Sequence, residues 1–310
     1  MVPTGSVTSE AVAVGDLLGS GGYCDVFAGT WAAHAVAVKL PRMPTDKQSL
    51  AALTSETTML RRLAHKSPHI PTLVGVSTAS SGAGGPALIM QPVGCDATRA
   101  PGAADAPGSP ARVALAHDCA AGVFHALRAA HGAGVVHRDV RPTNLLWHVH
   151  SRTVLLIDWG IAVTAAASLR ALQPAALGWP DAAPDVALRA SSRTGPPWLP
   201  DAATDVESAL YSLAALAFGE PCGAAPWASG AGANVAAVAL AAAAAVPPGK
   251  QTATAVASAM MSARMQARDA WFAALPQAHP LRTARAAVHA AQASGSKPMY
   301  ALPPGWAVLP

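Results

Sequence analysis

Two acids and an amide stand close together in the middle of the chain. Asp139 is followed by Asn144 five residues later, and Asp158 comes after a short linking segment. Val154–Ile157 is a run of β-branched residues and leucine, which predicts a short buried strand that ends at Asp158. This placement is typical of a metal-binding acid at the mouth of a cleft, so these three side chains constrain the fold more than any other feature.

A glycine-rich hairpin and a lysine-bearing strand precede this region. Residues 12–38 alternate short apolar runs with a turn at Gly19-Ser20-Gly21-Gly22, which predicts a hairpin followed by a third strand. Lys39 ends the run Val36-Ala37-Val38, and the next segment carries leucines at helical spacing with Glu56 among them. Each feature alone is more often a flexible turn or a surface ion, and only their order along the chain favours a functional site.

Together these motifs resemble the protein kinase family. Leu18–Val26 resembles its G-x-G-x-x-G-x-V loop and Val36–Lys39 its V-A-I-K strand. His137–Asn144 matches H-R-D-x-x-x-x-N, and Asp158-Trp159-Gly160 stands where that family has D-F-G. The resemblance covers residues 12–218 and implies a bilobal α+β fold, with a small β-rich N-lobe carrying one main helix and a larger, mostly helical C-lobe.

The resemblance implies ATP and Mg²⁺ as cofactors and gives roles to the matching residues. Asp139 would be the catalytic base, Arg141 would offer a cation to the γ-phosphate, and Lys39 would contact the other phosphates while paired with Glu56. Two oxygen-bearing side chains would hold Mg²⁺, Asn144 and Asp158. The remaining nucleotide contacts would come from the glycine loop, the apolar walls and the hinge: Gly19, Gly21, Gly22, Val26, Ala37, Met90, Gln91, Val93 and Leu146.

The same resemblance predicts the domain boundaries. They are an N-terminal tail at 1–10, the N-lobe at 11–90, the hinge at 91–95, the C-lobe at 96–293 and a C-terminal tail at 294–310. The helix that starts at Asp205 resembles the D-x-E-S helix start of casein-kinase-like enzymes, and its first acid would anchor the catalytic loop.

Composition excludes several other classes of protein. The net charge of +4 is spread along the chain without a basic run, which argues against a nucleic-acid partner. The hydrophobic fraction of 52% is largely alanine, and neither a signal peptide nor a membrane-spanning segment is predicted. The four cysteines lie far apart without a CxxC pair, which favours a reducing, cytoplasmic location. The expected partners are ATP and a protein substrate that the sequence does not identify.

Departures from the family pattern leave three functions open. Cys24 replaces the third glycine, Leu199-Pro200-Asp201 stands in place of A-P-E at the end of the activation segment, and three residues separate Asp201 from Asp205. The first hypothesis is a serine/threonine protein kinase, since the loop lacks the Ala-Ala-Arg pattern of tyrosine kinases. The alternatives are a pseudokinase scaffold, which would bind ATP or a partner without efficient catalysis, and a small-molecule phosphotransferase.

Overall fold

The computed structural model describes most of the first half of the chain and parts of the second. The described residues are 6–8, 12–77, 86–164, 202–218, 244–247, 249, 277, 280–294, 296 and 298–300. Most of the activation segment, the triplet Leu199-Pro200-Asp201 and Cys222 lie outside them.

A six-stranded sheet forms the N-lobe together with one helix. The strand order is β1-β5-β6-β4-β3-β2, in which β1 runs parallel to β5 and the other neighbours are antiparallel. Helix α1 packs against β4 and β5. The elements are β1 Ser6–Thr8, β2 Ala13–Ser20, β3 Cys24–Trp31, β4 His34–Pro41, α1 Lys47–Leu63, β5 Thr72–Ser77 and β6 Ala87–Gln91.

Alternation along β4 explains why its lysine faces the rest of the molecule. Successive side chains of a strand point to opposite faces of the sheet. Val36, Val38 and Leu40 lie in a small apolar cluster on one face, with Ile89 of β6. Lys39 therefore points to the other face, where α1 packs.

Helices dominate the C-lobe. Helix α2 packs against α3 and the β9–β10 hairpin, and α4 packs against α3. Two small antiparallel sheets join them, one of order β10-β9-β7 and one pairing β11 with β8. The elements are β7 Cys95–Asp96, α2 Pro110–Gly132, β8 Val135–Val136, β9 Leu145–His148, β10 Thr153–Leu156, β11 Val163–Thr164, α3 Ala202–Phe218 and α4 Pro280–Ser294.

Local signals in the sequence determine where α2 begins and ends. Ser109 caps its N-terminus by accepting a hydrogen bond from the backbone N–H of Arg112, and Pro110 occupies the first turn, where its missing N–H costs nothing. Gly134 follows the last turn with a φ of +70°, a backbone conformation that favours glycine.

Hydrogen bonds join the two lobes behind the cleft. His69, which follows α1, donates from Nδ1 to the carbonyl oxygen of Val154 in β10 at 2.7 Å, and its own carbonyl accepts from Leu156 N at 2.9 Å. Arg62 in α1 donates from Nε and Nη2 to the carbonyl oxygen of Ala133 at 3.1 and 2.8 Å. The helix that carries Glu56 is therefore attached to the C-lobe at its C-terminal end.

Both predicted tails contain ordered structure. Ser6–Thr8 forms a strand parallel to β5, which would otherwise expose its edge. Near the other end, Pro298 is buried and Tyr300 packs against the main core. The predicted boundaries of the two tails stay a prediction. No helix in the described part of the chain is long and apolar enough to cross a membrane.

Candidate active site

A buried lysine joins two carboxylates from different parts of the fold. Lys39 Nζ in β4 lies 2.5 Å from Glu56 Oε2 in α1 and 2.8 Å from Asp158 Oδ1, which follows β10. Glu56 is 1% exposed and accepts a further hydrogen bond from the backbone N–H of Trp159 at 3.3 Å. The structure thus brings together three of the residues singled out from the sequence.

The charges in this group stabilise one another in the interior. Burial alone would lower the pKa of Lys39, but the carboxylates of Asp158 and Glu56 outweigh it and raise that pKa above its ordinary value. Burial would raise the pKa of Asp158, but the attraction of Lys39 holds it below the ordinary value. For the deeper Glu56, burial prevails and its pKa is raised. Lys39 is therefore a fixed cation at the bottom of the cleft.

Asp139 and Asn144 are held together in the loop between β8 and β9. Asn144 Nδ2 donates to Asp139 Oδ2 at 2.8 Å and to the Asp139 carbonyl oxygen at 2.9 Å. Arg141 Nε lies 3.6 Å from Asp139 Oδ2. Burial raises the pKa of Asp139, with a further contribution from Asp158, while the cation of Arg141 offsets part of the rise. The Asp139 carboxylate is thus fixed in position and made more basic than an exposed aspartate.

Asp205 in α3 holds the backbone of this loop. Its carboxylate accepts hydrogen bonds from the backbone N–H of His137 at 2.7 Å and of Arg138 at 2.8 Å. Arg138 has a φ of +74°, an unfavourable conformation for this residue type that needs such support. The His137 ring packs edge-on against Trp159, with 4.5 Å between ring centroids. The expected anchoring role of Asp205 is confirmed.

A cleft of about 270 Å³ lies between the glycine loop, α1 and the catalytic loop. Six of the residues predicted from the sequence line it: Gly21, Gly22, Lys39, Asp139, Arg141 and Asp158. Cys24, at the position of the third glycine, also lines the cleft, and burial raises the pKa of its thiol to about 11.

Several residues predicted to contact the nucleotide do not line this cavity and lie on neighbouring strands of the N-lobe sheet. Gly19 pairs with Val26 across β2 and β3, and Ala37 pairs with Met90 across β4 and β6. Beyond them, Gln91 ends β6 and its side chain donates to the carbonyl oxygen of Ala35 at 3.0 Å. Three more of the predicted site residues lie close to these strands or to Lys39. Val93 comes two residues after Gln91, Leu146 lies in β9, and Glu56 lies behind Lys39.

The site contains oxygen ligands suited to Mg²⁺. Asn144 uses its Nδ2 for both hydrogen bonds, and its Oδ1 accepts none from the residues that the structure describes. Asp158 lines the cleft, and Asn144 is bonded to Asp139, which lines it as well. An amide oxygen and a carboxylate are the ligand types that Mg²⁺ prefers. The donor set therefore fits the ion that the sequence predicts.

Two polar residues near the loop were missed at the sequence level. His131, at the end of α2, places Nε2 2.8 Å from Asp205 Oδ2, and its Nδ1 lies 2.8 Å from Tyr300 Oη. His131 and Tyr300 are far apart along the chain and belong to no motif, so only the fold brings them together.

Comparisons with known proteins support the resemblance that the sequence motifs indicate. The family described as protein kinase domain matches residues 12–266. A probable serine/threonine-protein kinase of Corynebacterium efficiens is 30% identical over 164 residues, which are 50% of this chain and 24% of that protein. The serine/threonine-protein kinase PkaB of Streptomyces coelicolor is 33% identical over 175 residues, 53% of this chain and 40% of PkaB. The matched regions thus cover less than half of either relative.

Proposed function

This chain belongs to the protein kinase family, and from that premise we propose that it is an active serine/threonine kinase that transfers the γ-phosphoryl group of ATP to a protein hydroxyl. The observation that carries the proposal is the double contact of Lys39 with Glu56 and Asp158, in the cleft that Asp139 also lines. Phosphoryl transfer in protein kinases needs the lysine–glutamate ion pair in place together with the acid that holds Mg²⁺, and here Lys39 contacts both of these acids.

Asp139 is the proposed base. The hydrogen bond from Asn144 fixes its carboxylate, and its raised pKa makes it a better proton acceptor than an exposed aspartate. It accepts the proton of the substrate hydroxyl on Oδ1 or Oδ2. Arg141, 3.6 Å from the same carboxylate, offers its cation to the γ-phosphate.

Asn144 and Asp158 would hold Mg²⁺. When bound, the ion would neutralise the negative charge of the phosphates. Lys39 would orient the α and β phosphates, and Glu56 would keep the Lys39 side chain in place. The glycine loop, at Gly19, Gly21 and Gly22, would let the backbone approach the phosphates closely.

The adenine ring would lie on the strands that precede and follow the hinge. The backbone of Gln91 and Val93 would hydrogen-bond its edge. Apolar side chains would cover its two faces: Val26, Ala37, Met90 and Leu146. Two observations support specificity for serine and threonine: the sequence of the catalytic loop, and the likeness to two serine/threonine-protein kinases.

The direct test is Mg²⁺-dependent transfer of labelled γ-phosphate from ATP to the protein itself and to generic protein substrates. Asp139→Asn and Asp158→Asn should each abolish transfer. Asp118→Asn is the matched control, since Asp118 lies on α2 in a loose surface contact with Arg152 at 3.8 Å. Acid hydrolysis of the product should yield phosphoserine or phosphothreonine. Transfer that survives in both cleft variants would refute the assigned site.

A second candidate, the pseudokinase scaffold, is favoured by one observation. Cys24 occupies the third glycine position with its side chain buried against the cleft, where the family pattern has no side chain. ATP that raises the melting temperature of the protein without any transfer would support this candidate. Restoration of transfer by Cys24→Gly would assign the loss to that single position.

A further inference from the structure

The C-terminal segment at Pro298–Tyr300 returns to the base of the catalytic loop. Tyr300 lies beyond residue 266, where the match to the kinase domain ends. Its hydroxyl is 2.8 Å from His131 Nδ1, and the guanidinium carbon of Arg128 lies 5.6 Å from the centre of its ring. Two residues of α2 thus hold this tyrosine in place.

His131 connects Tyr300 to the anchor of the catalytic loop. Its Nε2 lies 2.8 Å from Asp205 Oδ2, and the Asp205 carboxylate accepts the backbone N–H groups of His137 and Arg138. The side chains of His131 and Asp205 are 6% and 1% exposed. This chain of hydrogen bonds therefore runs through the interior, where solvent can replace a lost partner less easily.

The direction of the hydrogen bond between His131 and Asp205 follows from the chemistry of its groups. Burial would raise the pKa of Asp205, but its hydrogen bond to His131 and the other contacts hold it below the ordinary value, so the group is a carboxylate. The Nε2 atom of His131 must then carry the proton. Tyr300, whose pKa burial raises to about 12, keeps its proton. A ring that carries its single proton on Nε2 presents Nδ1 as an acceptor for this hydroxyl.

We propose that Tyr300 is a positioning residue for the catalytic loop. Its hydroxyl fixes His131 in the tautomer that donates to Asp205, and Asp205 in turn holds Arg138 at its φ of +74° beside Asp139. Without the Tyr300 hydroxyl, the His131 ring is free to carry its proton on Nδ1, and Asp205 then loses one of its hydrogen-bond donors. The effect on catalysis rests on the proposed kinase function, whereas the coupling to the loop does not.

The test compares Tyr300→Phe with wild type in the full chain. Amide hydrogen exchange in a peptide covering residues 135–141 should become faster, because the N–H groups of His137 and Arg138 are held less firmly. If the chain is active, kcat should fall about five-fold, as expected for one lost hydrogen bond, with little change in KM for ATP. Met299→Ala is the matched control, since Met299 adjoins Tyr300 and is 47% exposed.

A second variant separates coupling from general destabilisation. In a His131→Gln background, Tyr300→Phe should add nothing to the exchange rate, because the connecting ring is already gone. Unchanged exchange at residues 135–141 in Tyr300→Phe, or an equal increase in α2 and the β9–β10 hairpin, would overturn the proposal. An inactive wild type would instead count against the proposed function, and the exchange measurement would still decide the role of Tyr300.

Discussion

The replacement of Gly122 by alanine tests how closely α2 must approach the hairpin that carries Asp158. A Cβ atom at this position would lie 2.5 Å from the carbonyl oxygen of Val154, 2.9 Å from Val154 Cβ and 3.1 Å from His69 Nδ1. Real Cβ atoms essentially never show contacts shorter than 3.0 Å, so the helix or β10 must shift. The same carbonyl accepts the hydrogen bond from His69 that joins the lobes.

Opposing effects determine the expected change in the free energy of unfolding. Alanine is a better helix former than glycine by about 1 kcal/mol. Overpacking of a close contact costs about 1–3 kcal/mol, and loss of the His69 hydrogen bond costs about 1 kcal/mol more. We therefore expect Gly122→Ala to destabilise the protein by about 1–3 kcal/mol, measured by urea unfolding followed by circular dichroism.

Gly132 in the same helix provides the control. A Cβ atom there would meet nothing within 4 Å. Only helix propensity acts at this position, so Gly132→Ala should leave stability unchanged or raise it by up to about 1 kcal/mol. The steric argument is refuted if Gly122→Ala unfolds at the same urea concentration as Gly132→Ala, or at a higher one.

Three further predictions concern titratable groups. Arg141→Ala should move the acidic limb of the pH–kcat profile to higher pH, because its cation lowers the pKa of Asp139, while Arg141→Lys should retain most of that effect; an identical limb in both variants would contradict it. Since burial raises the pKa of Cys24 from 9.0 to about 11, alkylation by iodoacetamide at pH 7.5 should be about a hundred-fold slower than in urea, as followed by mass spectrometry. Asp205→Asn should destabilise the protein most at neutral pH. Because the pKa of Asp205 is lowered in the fold, its stabilising effect is complete above about pH 5 and is lost as the pH falls through the folded pKa, so denaturant midpoints of wild type and variant should converge in acid.

Much of the cleft could be predicted because its residues stand at the ends of strongly patterned elements. Val36–Val38 alternates cleanly, so the strand places Lys39 on the face of α1. The apolar run before Asp158 likewise predicts a strand that ends at this acid, and β10 ends at Leu156. Ordered motifs of this kind fix both the element type and the residue at its end.

Other contacts depend on the packing of elements and leave no local signal. Tyr300 lies 169 residues from His131, in a short segment without periodicity. Gly122 reads in sequence as a weak position in a helix, yet the structure needs it for the approach of β10. The likeness of the Asp205 helix to casein-kinase-like enzymes stays a prediction, since neither relative is described in those terms.

The contact of Lys39 with two carboxylates also determines what kind of anion can enter the cleft. Lys39, Arg138 and Arg141 carry three positive charges, and Glu56, Asp139 and Asp158 carry three negative ones, so the charges around the cleft cancel. A triphosphate that arrives alone therefore gains little from the summed charge of the cleft. A divalent cation at Asn144 and Asp158, as proposed, would make the site positive. On the proposed function, affinity should therefore depend on the concentration of the metal complex of the nucleotide rather than on that of the free nucleotide.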